Sequence, residues 1–268
     1  MTSPTRPTDP TTSTPLIHAE NITKRYGYKV ALRQVSLDVP AGQFVALFGP
    51  NGAGKTTLVK VLATLLQPTE GHVTIAGLDA RREAQQVRAR IGLVSHASLL
   101  YEALTAAENL VFTGRLYGVT DPAARAAALL AAVGLLPVAD DPVRTFSHGM
   151  KQRLSIARAL VHRPTVLFLD EPFTGLDRSA TAVLRDLLAG LRVEGRTMFM
   201  TTHNLKAGLE LADRALILHR GRLAHDGSTA GVPWAAFRQT YQAATSANPL
   251  FDSPPPGEGE CPDAERAA

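Results

Sequence analysis

The sequence predicts an α/β fold in which helices flank a mainly parallel β-sheet. Short apolar runs typical of buried strands recur along the chain, at residues 44–48, 73–75, 166–169, 198–200 and 215–218. Helical patterns separate several of these runs, and such an alternation is typical of parallel sheets. Between about residues 97 and 162 the pattern is helical only, with helices predicted over 104–117 and 123–133. We therefore expect a helical subdomain inserted in the α/β core, and an antiparallel β region near the N-terminus.

Composition sets the expected limits of the folded domain. The first 15 residues are rich in Thr and Pro, and the C-terminal end contains a Pro/Gly/Glu-rich stretch. Such composition is typical of disordered chain, so we expect one domain over residues 16–240, with disordered tails at 1–15 and 241–268. A chain of 268 residues buries enough apolar surface to fold without disulfides, and its single cysteine, Cys261, lies in the predicted tail.

Charge and hydropathy restrict the classes of function only weakly. The 28 Lys and Arg residues exceed the 24 Asp and Glu residues, which gives a formal net charge of +4. This excess is compatible with nucleic acid, anionic lipid headgroups or nucleotide phosphates as partners. The sequence has neither a signal-peptide pattern nor a run of about 18 apolar residues, so we expect a chain that is soluble by itself.

The most informative motif is a glycine-rich loop between the apolar run 44–48 and a helical pattern. It fits G-x-x-x-x-G-K-S/T and consists of Gly49, Pro50, Asn51, Gly52, Ala53, Gly54, Lys55 and Thr56. Its backbone N–H groups can approach phosphate oxygens, and the helix that follows presents the positive end of its dipole. We expect Lys55 to neutralise the β and γ phosphates, Thr56 to coordinate Mg²⁺ and Thr57 to contact the α-phosphate. The sequence therefore predicts a P-loop NTPase core that binds ATP and Mg²⁺.

Two adjacent carboxylates follow a second apolar run. Asp170 and Glu171 come directly after residues 166–169. Alone, such a pair is usually a solvated strand end. Beside a phosphate-binding loop, Asp170 is suited to the Mg²⁺ shell and Glu171 to polarising a water for attack on the γ-phosphorus. We therefore expect Asp170 and Thr56 to be metal ligands and Glu171 to be catalytic.

A Ser/Gly turn precedes the helical run that begins about twenty residues before the two carboxylates. Ser147, His148, Gly149 and Met150 form this turn. By itself such a turn is an ordinary helix N-cap. A helix start of this kind is also an anion site, because its free N–H groups and dipole favour negative charge.

Together these segments resemble the ABC ATPase family, in the family's order, over nearly all of residues 16–230. In that resemblance residues 147–150 match the signature loop LSGGQ, Tyr26 looks like the aromatic residue that stacks on adenine, and Asp177 looks like the D-loop aspartate. His203 looks like the switch histidine that contacts the γ-phosphate. Taken alone, the tyrosine would be a packing residue and the histidine a polar strand terminus.

The resemblance implies a mechanism that requires two copies. Two ATPase domains face each other head to tail, so that Ser147 and Gly149 of one contact the γ-phosphate held by Lys55 of the other. The dimer closes on ATP, water attacks with the aid of Glu171, and the dimer reopens when the γ-phosphate contacts are lost. The implied partners are a second ATPase subunit, with a homodimer expected, and integral-membrane permease subunits.

The sequence departs from the family pattern at two places. The position that aligns with the Q-loop glutamine is His96, which can hydrogen-bond a metal-bound water but cannot mimic a carboxamide oxygen. In the signature loop, His148 replaces the glycine at the second position of SGGQ, and Met150 replaces its glutamine. These changes leave the predicted contacts of Ser147 and Gly149 possible.

The departure at His96, with the segments that follow it, resembles the ATPase of the haem exporter of cytochrome c maturation. Drug and polysaccharide or lipid exporter ATPases share most of these segments and remain alternatives. A soluble ABC ATPase acting on nucleic acid or ribosomes, or a scaffold without turnover, is disfavoured, and no nucleic-acid partner is expected. The resemblance implies a cytoplasmic subunit, peripheral on the inner face of the cell membrane, that docks its membrane partner through residues 96–116.

Overall fold

The computed structural model describes residues 14–95 and 98–246. The predicted tail residues 1–13 and 247–268, including Cys261, lie outside the described part. The strands are β1 (Ile17–Tyr26), β2 (Lys29–Val39), β3 (Phe44–Phe48), β4 (Glu70–Ile75), β5 (Leu78–Asp79), β6 (Ile91–Val94), β7 (Val166–Asp170), β8 (Thr197–Thr201), β9 (Arg214–His219) and β10 (Arg222–Ser228). The α-helices are α1 (Lys55–Leu62), α2 (Ala84–Arg90), α3 (Ala106–Leu116), α4 (Pro122–Ala132), α5 (His148–Leu160), α6 (Arg178–Val193), α7 (Leu205–Leu211) and α8 (Trp234–Thr245).

The main sheet has the strand order β10-β9-β3-β8-β7-β6. All of its neighbouring strands are parallel except β10, which pairs antiparallel with β9. Each of the five apolar runs singled out in the sequence forms a strand, or part of one. The predicted α/β fold is therefore confirmed.

Strand β3 lies at the centre of this sheet and is buried on both faces. Phe44, Ala46 and Phe48 pack into one apolar core, whereas Val45 and Leu47 pack into another. Successive side chains of a strand point to opposite faces, so a strand covered on both sides reads as an unbroken apolar run. This burial fixes the point at which the glycine-rich loop leaves the sheet.

A second sheet, with the order β2-β1-β4-β5, is formed by antiparallel pairs. Its apolar side chains share a core with α1, which contributes Leu58, Val59 and Leu62. Helix α1 thus packs between the two sheets. This sheet is the β region that the sequence predicted near the N-terminus.

Only helical elements are described between β6 and β7. Helix α3 begins after Thr105, whose hydroxyl accepts a hydrogen bond from the Glu108 amide, while the Glu108 carboxylate accepts one from the Thr105 amide. Because of this capping box, the helix begins at residue 106 rather than at the predicted residue 104. Asp121 caps α4 through its side chain alone, which accepts a hydrogen bond from the Ala124 amide, and short 3-10 helices at 136–138 and 143–145 precede α5.

Helix α8 continues to Thr245, beyond residue 240, where the sequence placed the end of the domain. The reason is packing: Phe237 is buried against Phe48, with ring centroids 5.0 Å apart in an edge-to-face arrangement, and Tyr241 packs against the same core. The predicted boundary is therefore too early by about one helical turn. Within the described residues, every helix is too short or too polar to cross a membrane.

Candidate nucleotide site

The glycine-rich loop leaves the carboxyl end of β3 and enters α1 at Lys55. Its backbone passes very close to neighbouring strands: a Cβ atom at Gly49 would lie 2.2 Å from the Leu218 carbonyl oxygen, and one at Gly54 would lie 2.6 Å from that of Ala31. Both glycines have positive φ, at 153° and 107°. Any side chain would therefore clash and be strained at these two positions.

The side chain of Lys55 is 7% exposed and lies over this loop. Its Nζ donates hydrogen bonds to the carbonyl oxygens of Gly49, at 2.8 Å, and Pro50, at 3.3 Å. It also lies 3.7 Å from Glu171 Oε1. A buried ammonium group must be paired or hydrogen-bonded, and these contacts hold its positive charge at the mouth of the loop.

Asp170 lies at the end of β7 and is 4% exposed. Its Oδ1 accepts hydrogen bonds from Thr201 Oγ1, at 2.7 Å, and from Thr56 Oγ1, at 3.2 Å. Thr201 ends β8, and the parallel pairing of β7 with β8 places it opposite Asp170. Thr201 is not among the site residues predicted from the sequence. Its position at the carboxyl end of an adjacent buried strand was the available signal.

Glu171 follows in a left-handed backbone conformation with φ 55°. Its amide donates to both the backbone oxygen and the hydroxyl of Thr201, at 3.2 and 3.0 Å. Its Oε2 lies 2.7 Å from His203 Nδ1 and accepts a further hydrogen bond from the His203 amide at 3.2 Å. The carboxylate thus has Lys55 on one oxygen and His203 on the other. The structure brings together three residues that the sequence predicted for the site.

A cleft of about 720 Å³ opens beside the loop. Its walls include Tyr26, Glu171 and the run of predicted residues Pro50, Asn51, Gly52, Ala53, Gly54, Lys55, Thr56 and Thr57. Tyr26 is 47% exposed rather than packed, and Lys24 Nζ lies 5.4 Å from its ring centroid. The cleft is also lined by Lys29, Arg33 and Arg220, which are not among the residues predicted from the sequence. The cleft is therefore bordered by positive charge.

Three residues predicted to contact nucleotide from the signature loop and the D-loop do not line this cleft, namely Ser147, Gly149 and Asp177. The Ser147 hydroxyl caps α5 and accepts a hydrogen bond from the Met150 amide at 3.3 Å. Asp177 caps α6 and accepts one from the Ala180 amide at 2.7 Å. Both caps fit the simplest interpretation of these residues. Their predicted nucleotide contacts therefore stay a prediction, and His96 lies outside the described residues.

The oxygen atoms around Asp170 fit a hard divalent cation. Mg²⁺ prefers oxygen ligands and is commonly held by one or two carboxylates together with substrate phosphates rather than by an all-protein cage. Asp170 and the Thr56 hydroxyl supply such oxygens at one point beside the loop. Among the described residues, no three His, Cys, Asp or Glu side chains cluster as a metal cage.

Comparison with known proteins identifies the family. Residues 32–174 match the ABC transporter family. A daunorubicin resistance ATP-binding protein of Streptomyces coeruleorubidus is 42% identical over 214 residues, which cover 79% of this chain and 68% of that protein. The linearmycin resistance ATP-binding protein of Bacillus subtilis is 37% identical over 210 residues, covering 78% and 68%. The Nod factor export ATP-binding protein I of Burkholderia orbicola is 40% identical over 214 residues, covering 79% and 70%.

A solved structure points to the same family. A dimeric ATP-binding cassette in a post-hydrolysis state, bound to ADP and Pi, superposes with a TM-score of 0.75 at 28% identity. The match covers 81% of this chain and all of that one. The P-loop geometry and these similarities agree, and the chain belongs to the ABC transporter family as an ATP-binding, ATP-hydrolysing subunit.

Proposed function

We propose that this chain powers export across the cytoplasmic membrane by hydrolysing MgATP between two copies of itself. The observation that carries the hydrolytic part is the position of Glu171, whose carboxylate lies 3.7 Å from Lys55 Nζ and 2.7 Å from His203 Nδ1. A carboxylate at the mouth of a phosphate-binding loop can take a proton from an attacking water. Glu171 is therefore the proposed base.

The other residues in the cleft and beside Glu171 have complementary proposed roles. Lys55 neutralises the β and γ phosphates, and the loop amides with Thr57 hold the phosphate oxygens. His203 orients the Glu171 carboxylate and contacts the γ-phosphate. Tyr26, half-exposed in the wall of the same cleft, stacks on the adenine ring; comparable base stacking contributes about 1–3 kcal/mol.

Asp170 and Thr56 are the proposed Mg²⁺ ligands. When bound, Mg²⁺ offsets the negative charge that develops on the transferred phosphoryl group. Thr201 donates to Asp170 and so keeps one carboxylate oxygen oriented toward Thr56. The chain itself thus supplies a fixed pair of oxygen ligands.

A second copy completes the proposed site. Ser147, Gly149 and Asp177 lie outside the cleft of their own chain, and a head-to-tail dimer brings them to the nucleotide of the partner. The solved cassette that resembles this chain is dimeric and bound to ADP and Pi, which supports a dimer for this chain. The free N–H groups at the start of α5 would then face the γ-phosphate.

The proposed membrane partner docks on the helical subdomain. Several large apolar side chains are exposed on or beside α3, namely Leu99, Tyr101, Phe112, Leu116 and Tyr117. A cluster of exposed large apolar groups is typical of an interaction surface, whereas single exposed residues are ordinary. In this proposal the chain is cytoplasmic and peripheral on the inner face of the membrane, bound to permease subunits.

For the transported substrate we favour a drug-like compound over haem. The relatives described above are named for daunorubicin and linearmycin resistance and for Nod factor export. The resemblance to the haem exporter of cytochrome c maturation gains no support from them. Export of a drug, or of a polysaccharide or lipid compound, is therefore the proposal, and haem export is the alternative to be tested beside it.

The Glu171→Gln variant tests the enzymatic part. It keeps the size and polarity of the side chain but cannot accept a proton, so ATP should bind while hydrolysis falls at least a hundredfold. We expect ATP to shift this variant to a dimer in size-exclusion chromatography. Glu210→Gln, which changes an exposed carboxylate paired with Arg185, is the matched control and should hydrolyse normally. Normal turnover in Glu171→Gln would refute the assigned base.

Deletion of the gene in its host tests the substrate. Cells lacking the chain should become more sensitive to daunorubicin-type compounds, and the wild-type gene should restore resistance while the Lys55→Ala variant should not. A fall in c-type cytochrome content without any change in drug sensitivity would instead favour haem export.

A further inference from the structure

The imidazole of His148 joins the start of α5 to the loop that follows Glu171. Its Nε2 lies 3.3 Å from the Thr174 carbonyl oxygen. A carbonyl oxygen only accepts hydrogen bonds, so Nε2 carries the hydrogen in this contact. The ring also lies against Gly175: a Cβ there would be 2.7 Å from His148 Cδ2. This close approach needs the absence of a side chain at Gly175.

A second side chain on the same face of α5 contacts the same loop. Gln152 is buried, and its Nε2 donates to the Pro172 carbonyl oxygen at 3.1 Å. Residues four apart lie on one face of a helix, so His148 and Gln152 contact the loop together. The loop begins after Glu171 and ends at Asp177, the N-cap of α6. Both ends of this loop carry residues assigned to the nucleotide sites.

We propose that His148 is a positioning residue for hydrolysis, which acts by joining the signature end of α5 to the loop between Glu171 and Asp177. The inference rests on the proposed head-to-tail dimer. The α5 end serves the nucleotide of the partner, whereas Glu171 serves the nucleotide of its own chain. A contact between α5 and the loop therefore makes the position of the base in one site depend on the closure of the other.

The chemistry of the position supports this role over simple N-capping. The hydroxyl of Ser147 already caps α5, so the helix start does not need the imidazole. The hydrogen bond to Thr174 and the contact with Gly175 both leave the helix and cross to the loop. A glycine at position 148 would make neither contact.

Three substitutions at position 148 separate the hydrogen bond from the ring contact. His148→Gln keeps a donor nitrogen at about the distance of Nε2 from Cα. His148→Phe keeps a ring against Gly175 but has no donor, and His148→Gly removes both. We expect kcat for ATP within twofold of the wild type for His148→Gln, about fivefold lower for His148→Phe and about tenfold lower for His148→Gly.

Binding of ADP and local exchange provide readouts that general destabilisation would not reproduce. His148 does not line the cleft, so the Kd for ADP should stay within twofold in all three variants. Hydrogen exchange of a peptide covering residues 172–180 should be faster in His148→Phe and His148→Gly, and unchanged in His148→Gln. His72→Gln, a change on β4 in the other sheet, is the control and should leave kcat unchanged.

The outcomes distinguish this inference from the proposed dimer. If Glu171→Gln fails to dimerise with ATP, the proposed dimer is wrong, and the inference that rests on it is wrong as well. If Glu171→Gln dimerises but His148→Phe and His148→Gly hydrolyse ATP at the wild-type rate, only the role of His148 is refuted. Failure of His148→Gln to restore kcat would also overturn it, because the hydrogen bond would then not be the cause.

Discussion

Replacing Thr201 by valine changes one hydroxyl to a methyl group at the centre of the candidate site. The hydroxyl donates to Asp170 Oδ1 at 2.7 Å and accepts from the Glu171 amide at 3.0 Å. Valine has nearly the same shape, so the change removes polar contacts without leaving a large cavity. We expect Asp170 to lose its shortest hydrogen bond and Glu171 to lose part of its backbone anchoring.

The size of the effect follows from these two contacts. A hydrogen bond to a charged group contributes about 1.5–3 kcal/mol, and Asp170 is buried, so water cannot replace the hydroxyl freely. The Glu171 amide keeps the Thr201 backbone oxygen at 3.2 Å, so its loss is small. We therefore expect a destabilisation of about 2 kcal/mol, or about 4–8 °C in Tm for a domain of this size. If the same energy is lost in the transition state, kcat falls about thirtyfold.

Steady-state ATPase kinetics and thermal unfolding measure both quantities. Thr197→Val is the matched control, because Thr197 lies on the same strand, is 1% exposed and accepts a hydrogen bond from the Gly42 amide at 2.8 Å. Its loss removes a hydrogen bond from the half-buried Gly42 amide, at a cost of about 0.5–1.5 kcal/mol. Thr197→Val should therefore also lower Tm while kcat at 25 °C stays unchanged.

Comparing kcat and Tm of the two variants tests the role of the Thr201 hydroxyl. A Thr201→Val enzyme with wild-type kcat would refute the claim that this hydroxyl positions the two carboxylates. Equal losses of kcat in both variants would show that the effect comes from general destabilisation of β8 rather than from the site.

Three further predictions address nucleotide binding, packing and pH. Lys55→Ala should weaken ATP binding at least tenfold by fluorescence titration, because it removes the ammonium group held over the loop. Phe237→Ala should lower the free energy of unfolding by about 3–5 kcal/mol in urea, because its ring is buried against Phe48. Burial lowers the pKa of His162, so the unfolded chain takes up the proton first as pH falls. The contribution of neutral His162 to the free energy of unfolding is therefore complete above the unfolded pKa of about 6.5 and is lost as pH falls towards the lower folded pKa. In His162→Gln, the free energy of unfolding should fall less steeply between pH 7 and 5.5 than in the wild type.

Each of these predictions has a control or an opposing outcome. Lys60→Ala, an exposed lysine on the same helix, should bind ATP normally, so equal losses in both variants would contradict the role of Lys55. Trp234→Ala changes a partly exposed ring of α8 and should cost less than Phe237→Ala. An identical pH dependence in His162→Gln and the wild type would contradict the assignment of that slope to His162.

Strands β6 and β10 were not predicted from the sequence, because their conformation depends on contacts with other parts of the fold. Strand β6 is four residues long and contains Gly92, which breaks the apolar run. The glycine is needed because a Cβ there would lie 2.5 Å from the Ala159 carbonyl oxygen of α5. Strand β10 alternates exposed and half-buried residues and is fixed by antiparallel pairing with β9. Neither has the continuous apolar run that identified β3 and β7.

Local chemistry was determined by the sequence alone. The spacing of glycines before Lys55, the apolar run that ends in Asp170 and Glu171, and the Ser147 cap each depend on residues close together in the chain. Such features follow from backbone geometry over a few residues, so they predicted the loop, the strand end and the helix start.

The assembly of these features into one site was decided only by the tertiary structure. Asp170 meets Thr201 because β7 and β8 pair in a particular parallel register, and a shift by one residue would turn that hydroxyl to the other face of the sheet. The contact of His203 with Glu171 spans 32 residues and depends on the same register. The register itself is set by burial of apolar side chains on both faces of the sheet, which is a property of the packed molecule rather than of any short segment.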